Sequence, residues 1–289
     1  CFAVGMKKEF VLTVDELEQR KNRTDTSNQV EQIDIDLNSL FGTLAIEDWL
    51  TIENLRVTFN SHFVNDRTKC MFVDVADRAS VLTAWSQFLQ KILLQFIDFF
   101  REVNEFQDLD LDDRLQLIKC NIFHLMLLSK CAHYSSENDC CSNDNYETAE
   151  NHRRFFSLCD APSDYRDMFV NLILLLVNTT KQDPAILSLF SIILIVSPGL
   201  SLNENEALLK DPLAINRVQS RYTQLLWNYL VSKFDNDQEV SKYFVQLLNT
   251  ISQMQAMMQI VKDFAHQQNM VSNTVDQMAP LMQIVLHIS

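Results

Sequence analysis

From Ala45 onward apolar residues return at steps of three and four through Trp49, Ile52, Leu55 and Phe59, which predicts a first amphipathic helix. Between about Ala76 and Glu102 the pattern changes. There Leu82, Trp85, Phe88, Leu89, Ile92, Leu93, Phe96, Ile97, Phe99 and Phe100 surround only a narrow polar stripe of Thr83, Gln87, Lys91, Gln95 and Asp98. A helix this apolar has to be covered on nearly all sides, and a two-layer bundle leaves one face of each helix open. The pattern therefore predicts an all-α fold with this helix in a middle layer. Further helices are expected at about Asp112 to His133, Asp164 to Thr179, Pro184 to Val196, Pro212 to Phe234 and Gln238 to Gln268. Asp183-Pro184 and Asp211-Pro212 each pair an N-cap carboxylate with a first-turn proline, and Ser197-Pro198-Gly199 is a stop signal. The stretch from Ser135 to Phe156 reads as a loop with room for a small β-hairpin.

In the last long helix Val240, Phe244, Leu247, Ile251, Met254, Met258 and Val261 form a heptad seam. The seam is either the core face of the helix or a helix–helix dimer contact. Tyr243, Leu248, Met257, Ile260 and Phe264 add further apolar surface, so the helix is expected to be packed on both sides.

Composition narrows the function. Only three of 289 residues are glycine, where an average chain would carry about 7%, so phosphate-cradling loops, dinucleotide sites and all-β folds are disfavoured. The net charge of −14 argues against a broad polyanion-binding surface, because nucleic-acid affinity comes mainly from basic groups on phosphate. Seven scattered cysteines lack the paired spacing of a zinc site and are expected to be reduced thiols of the cytosol or nucleus. No basic stretch followed by an apolar run opens the chain, so secretion is not expected. The aliphatic run Leu172 to Val177 is far short of the about 20 residues a membrane span needs, so no membrane partner is expected. Cys1 in place of an initiator Met leads to the expectation that the chain is part of a longer polypeptide.

Candidate chemistry is sparse. Asp108, Asp110, Asp112 and Asp113 cluster, yet an EF-hand starting at Asp108 would need glycine and glutamate where Asp113 and Lys119 stand. Clustered aspartates could instead hold magnesium and a diphosphate in an all-helical isoprenoid-processing enzyme, or simply cap the next helix from Asp110 or Asp112. The six histidines show no ligand spacing, and no serine sits in a nucleophile motif.

The segment FFREVNEFQDLDLDDRLQLIKCNIFHLMLLS, Phe99 to Ser129, resembles the signature of nuclear receptor ligand-binding domains, with Phe99, Arg101, Phe106, Leu109, Asp113, Leu117 and Lys119 at the family's spacing. CFAVGMKKEFVLTVDELEQRK is similar to the stretch after the second zinc finger in receptors of the vitamin D, pregnane X and related insect group. ILIVSPGLSL and the Ala279 to Leu286 segment resemble the end of the family's helix 8 and its terminal activation helix. Departures are Asn104-Glu105 for proline and glycine, Arg114 for glutamine, and His124 for the glutamate that pairs with a basic residue in the loop Ser197 to Leu202. That loop has no basic residue either.

The resemblance implies a three-layer antiparallel helical sandwich. It divides the chain into residues 1–24, the end of a DNA-binding domain extension; 25–44, a hinge linker; and 45–289, a ligand-binding domain. It implies a nuclear transcription factor that is not an enzyme and needs no cofactor in this chain, with zinc and DNA contacts in an upstream domain. A lipophilic ligand would touch Leu82, Trp85, Phe88, Leu89, Ile92, Phe123, Met126 and Ser129. Coregulator helices, of LxxLL or corepressor type, would bind at Ile97, Arg101, Leu115, Ile118, Lys119, Leu281, Ile284 and Val285. A retinoid X receptor-like partner or a second copy would meet Phe244, Leu247, Ile251, Met254 and Met258. Ile284 stands where the family has a glutamate that grips the N-terminus of the coactivator helix, so activation is expected to be feeble. A ligand-free variant, its pocket filled by Phe and Met side chains, keeps the same fold.

Overall fold

A computed structural model describes residues 44–64, 76–134, 149–162, 164–200, 208–234 and 236–272. Every regular element among them is helical: α1 (Ile46–Phe59) with a π-turn at Asn60–Val64, α2 (Arg78–Arg101), α3 (Asn104–Gln107), α4 (Leu111–His133), α5 (Ala149–Leu158), α6 (Tyr165–Thr180), α7 (Pro184–Ile195), α8 (Pro212–Lys233) and α9 (Asp237–Ser272). No described helix is long and apolar enough to cross a membrane. The expected hairpin, hinge and DNA-binding extension, and the terminal helix with Leu281, Ile284 and Val285, lie outside the described residues.

Helix starts follow local chemistry. The Asp77 side chain accepts from the Ser80 amide at 2.8 Å while the Ser80 hydroxyl accepts from the Asp77 amide at 3.1 Å, a capping box that starts α2. Asp183 and Asp211 cap α7 and α8 through the amides of Ala185 and Ala214, each at 2.9 Å, with proline in the first turn as expected. After α7 the chain turns at Gly199, whose φ of +79° suits a residue without Cβ.

The fold has three layers, with α4 and α7 in the middle. α4 packs on α2, α6, α7 and α9, and α7 packs on α1, α4 and α8. Every residue from Cys120 to Cys131 and from Ala185 to Ile195 is buried. This corrects the expectation that the Ala76 to Glu102 helix is the central one. α2 lies in an outer layer and keeps a solvent face at Gln87, Leu94 and Asp98. The true middle helix was disguised by Asn121, His124, Ser129 and Lys130, polar residues that are all buried. A second correction is α5, which occupies part of the stretch read as loop.

Candidate functional site

The described residues line a partly open cavity of about 80 Å³ between α2, α4, α5, α6 and α9. Its wall is assembled from helical repeats. α2 contributes Trp85 and Phe88, α4 Met126 and Lys130, α5 Phe155 and Phe156, α6 Tyr165 and Phe169, and α9 Met257, Ile260, Val261 and Phe264. Apart from the adjacent Phe155 and Phe156, each set sits one or two turns apart on one helix face. The Trp85 ring meets Phe155 and Phe264 edge-on at centroid distances of 6.3 and 6.4 Å, and Tyr165 meets Phe264 at 6.2 Å. Such edge-to-face contacts are a favoured packing of aromatic rings.

Of the residues expected to touch a ligand, Trp85, Phe88 and Met126 line this cavity. Leu89, Ile92 and Phe123 are buried in the core without lining it, and the side chain of Leu82 lies outside the described ones. Ser129, expected as the polar anchor, is buried, and its carbonyl oxygen lies 2.8 Å from His133 Nδ1. The charged residue in the wall is its neighbour Lys130, whose Nζ lies 4.2 Å from the centre of the Phe88 ring. Lys130 was legible as the residue four after Met126 and so on the same face. The α5 and α6 aromatics carried no such signal.

The expected coregulator face runs along the contact between α2 and α4. Ile97 and Ile118 are partly buried, while Leu115 is 49% exposed, and Leu94 of α2 and Leu111, one turn before Leu115, are exposed as well. An apolar surface on two packed helices, open to solvent, fits an amphipathic peptide helix. Arg101, at the end of α2, pairs with Asp98 at 2.7 Å, both side chains being more than half exposed. Lys119 is partly exposed.

The heptad seam of α9 turns inward. Leu247, Met254 and Met258 are at most 3% exposed and belong to the core of the same chain, and Phe244 and Ile251 are partly buried. The large apolar side chains of α9 that face solvent among the described ones are Val245 and Leu248, and the Phe244 ring lies 5.5 Å from that of Trp227 of α8. Any partner at this helix meets that outer face first.

The departures at Glu105 and Arg114 have local replacements. Glu105 accepts from Arg221 Nε at 3.0 Å and from the Tyr222 hydroxyl at 2.8 Å, tying α3 to α8. Arg114 donates to Gln107, whose amide donates to the Phe100 carbonyl at 2.9 Å. Where an ion pair would link helix and loop, Asn121 donates to the carbonyls of Ile195 and Ser197 at 3.0 and 3.1 Å. His124 is buried with neither ring nitrogen hydrogen-bonded among the described residues. Burial, and then the charge of Lys262, lower it to about 4, and the Asn121 backbone offsets this only weakly, short of a formed bond.

The aspartate cluster is structural. Buried Asp113 accepts from the amides of Lys210 and Asp211 at 2.7 and 2.9 Å, and Asp110 caps α4 through the Asp112 amide at 2.8 Å. Lys210 bridges Asp112 and Asp110, which raise its ammonium to about 12. No group of three or more potential metal ligands occurs among the described residues, so the isoprenoid-enzyme reading gains no support. Cys120, Cys131 and Cys159 are buried thiols outside any disulfide, and burial pushes those of the last two up to about 11.

No curated relative matches the chain. The family model described as the ligand-binding domain of nuclear hormone receptor matches residues 68–267, which is more than half of the chain and spans α2 to most of α9. The three-layer helical fold, the internal cavity and this match agree, and the chain belongs to the nuclear hormone receptor ligand-binding domain family.

Proposed function

We propose that this chain is the ligand-responsive part of a nuclear transcription factor that acts by binding rather than by catalysis. A lipophilic molecule in the aromatic cavity stabilises one arrangement of the surrounding helices over others, and affinity for a coregulator helix at Ile97, Leu115 and Ile118 changes with it. The sequence likeness of residues 1–24 supports the vitamin D and pregnane X receptor group, with zinc and DNA contacts supplied by an upstream domain. A retinoid X receptor-like partner or a second copy docks at the outer face of α9. Ile284 cannot accept the hydrogen bonds of a coactivator helix N-terminus, which favours corepressor-type helices or activation borrowed from the partner. The observation that carries this reading is the cavity walled by Trp85, Phe88 and Met126 together with eight further apolar or aromatic residues. Its test is binding of a fluorescent lipophilic probe, which Trp85→Ala and Met126→Ala should each change. Probe affinity insensitive to both would place the guest elsewhere.

A second reading is favoured by the size of the cavity. About 80 Å³ is well below the about 300–1,000 Å³ of ordinary ligand pockets, so the rings and methionines fill most of the space themselves. In that case the domain works as a ligand-independent interaction module. Native mass spectrometry followed by organic extraction separates the two, because a bound small molecule adds mass and a filled pocket does not.

A further inference from the structure

We propose that residues 29–41 form an amphipathic helix that folds back along the outer face of α1, so that the stretch expected as a hinge is a strap held on the domain. The strap is independent of what the cavity holds. On the domain side, α1 carries two apolar stripes where a surface helix needs one. It packs on α7 and buries Ile52, Leu55 and Phe59. Roughly opposite these, at about 100° per residue, stand Ile46, Leu50 and Val57; Ile46 is 54% and Val57 41% exposed, and Leu50 is partly exposed. Glu53 belongs to the same row, its carboxylate taken up by Arg56 Nε at 2.8 Å.

The matching stripe stands immediately upstream in the sequence, outside the described residues. Asn28 followed three positions later by Glu31 is a helix-start signature, and Val30, Ile33, Leu37 and Leu40 recur at steps of three, four and three. Gly42, one of only three glycines in the chain, stands where helix ends favour glycine. A helix this short is marginal by itself and persists where its apolar stripe is covered. At the helical rise, Val30 to Leu40 spans about 15 Å and Ile46 to Val57 about 17 Å, so the two rows match in length.

Chain connection selects this segment over a partner from solution. Only Gly42, Thr43, Leu44 and Ala45 separate the two rows, a length that joins antiparallel helices. Leu44 is 5% exposed, so the chain is already held against the domain where it enters α1. A stripe tethered this closely has an effective concentration in the millimolar range, ahead of a free competitor. The antiparallel course brings the start of the strap to the far end of α1, where Thr58 donates to Glu102 at 3.2 Å and His62 Nε2 lies 3.1 Å from the other oxygen of the same carboxylate. Glu102 follows Arg101 of the expected coregulator face. Residues 1–23 are therefore tethered beside that end of α2.

The test is hydrogen exchange of the full chain, followed by mass spectrometry. In wild type, residues 29–41 should exchange at least about tenfold more slowly than a free peptide of the same sequence, at a rate that does not depend on protein concentration. Val57→Asp, at an exposed position of α1, should release that protection while α4 and α7 stay protected, and Ile46→Asp should do the same from the other end of the row. Exchange of residues 29–41 at the peptide rate in wild type overturns the proposal without any variant. Protection that survives in both folded variants also overturns it, by placing the helix elsewhere. Protection that grows with concentration overturns it too, by making a second copy the occupant of the α1 face.

Discussion

Asp113→Asn separates the structural role of the aspartate cluster from a metal-binding one. The wild-type carboxylate is 2% exposed and takes two backbone amides, Lys210 at 2.7 Å and Asp211 at 2.9 Å, where the chain enters α8. An asparagine keeps one acceptor oxygen but turns an NH₂ group towards the other amide, so two donors face each other in a buried place. Loss of a hydrogen bond to a charged group costs about 1.5–3 kcal/mol, and an amide left buried and unsatisfied about 1–3 kcal/mol more. A total of about 3–5 kcal/mol lowers Tm by on the order of 10 °C for a domain of this size.

The neighbours supply an internal scale. Asp112 is 69% exposed and meets only the Lys210 ammonium, so Asp112→Asn should change stability by less than about 1 kcal/mol. Asp110→Ala removes a helix cap, and its effect should fall between those of the other two substitutions. Thermal denaturation followed by far-UV circular dichroism, with and without millimolar magnesium, tests the order. Equal effects of the three substitutions, or a wild-type Tm that magnesium raises and Asp113→Asn makes insensitive, would refute the structural assignment.

On α9, Met258→Asp buries a charge in the core and should unfold the domain or cost at least about 3 kcal/mol, whereas Leu248→Asp should weaken self- or partner association with the fold intact; sedimentation velocity with Leu248→Asp unchanged would remove the outer face of α9 from the interface. Asp98→Asn should free Arg101 and tighten binding of an LxxLL peptide up to a few-fold, and Ile284→Glu should tighten it roughly tenfold or more while Arg101→Ala or Lys119→Ala weakens it, all read by fluorescence anisotropy. His124 is neutral in the folded chain down to about pH 4, while an unfolded histidine takes up its proton near pH 6.5, so its contribution is intact above that range and is lost as pH falls through it. Complete loss amounts to about 3 kcal/mol, and His124→Leu should flatten the decline in denaturant midpoint between pH 7 and pH 4; an unchanged slope would show that other groups govern acid sensitivity.

The parts of the molecule readable from sequence are those governed by neighbours in the chain. Asp183 and Asp211 cap their helices because a carboxylate, a proline and a free amide stand within three residues of one another. The layer assignment failed at α2 and α4 because periodicity counts polar residues without knowing their partners. Asn121 satisfies its amide on two carbonyls at the end of α7, more than seventy positions away, and Lys130 spends part of its charge on Phe88 of another helix. To a hydropathy pattern both mark a solvent face. The same blindness explains α9, where the heptad seam and the stripe Met257, Ile260, Val261 and Phe264 are adjoining parts of one broad inward surface. The spacing of Met254 and Met258 says that they share a stripe, but only the positions of α4, α6 and α8 decide that the same chain covers it. The cavity is a property of five helices converging, and Trp85 meets Phe264 there only because α2 and α9 come together around it. A charged residue inside such a convergence is costly to the fold unless its neighbours receive it, and the Phe88 ring lies 4.2 Å from the Lys130 Nζ.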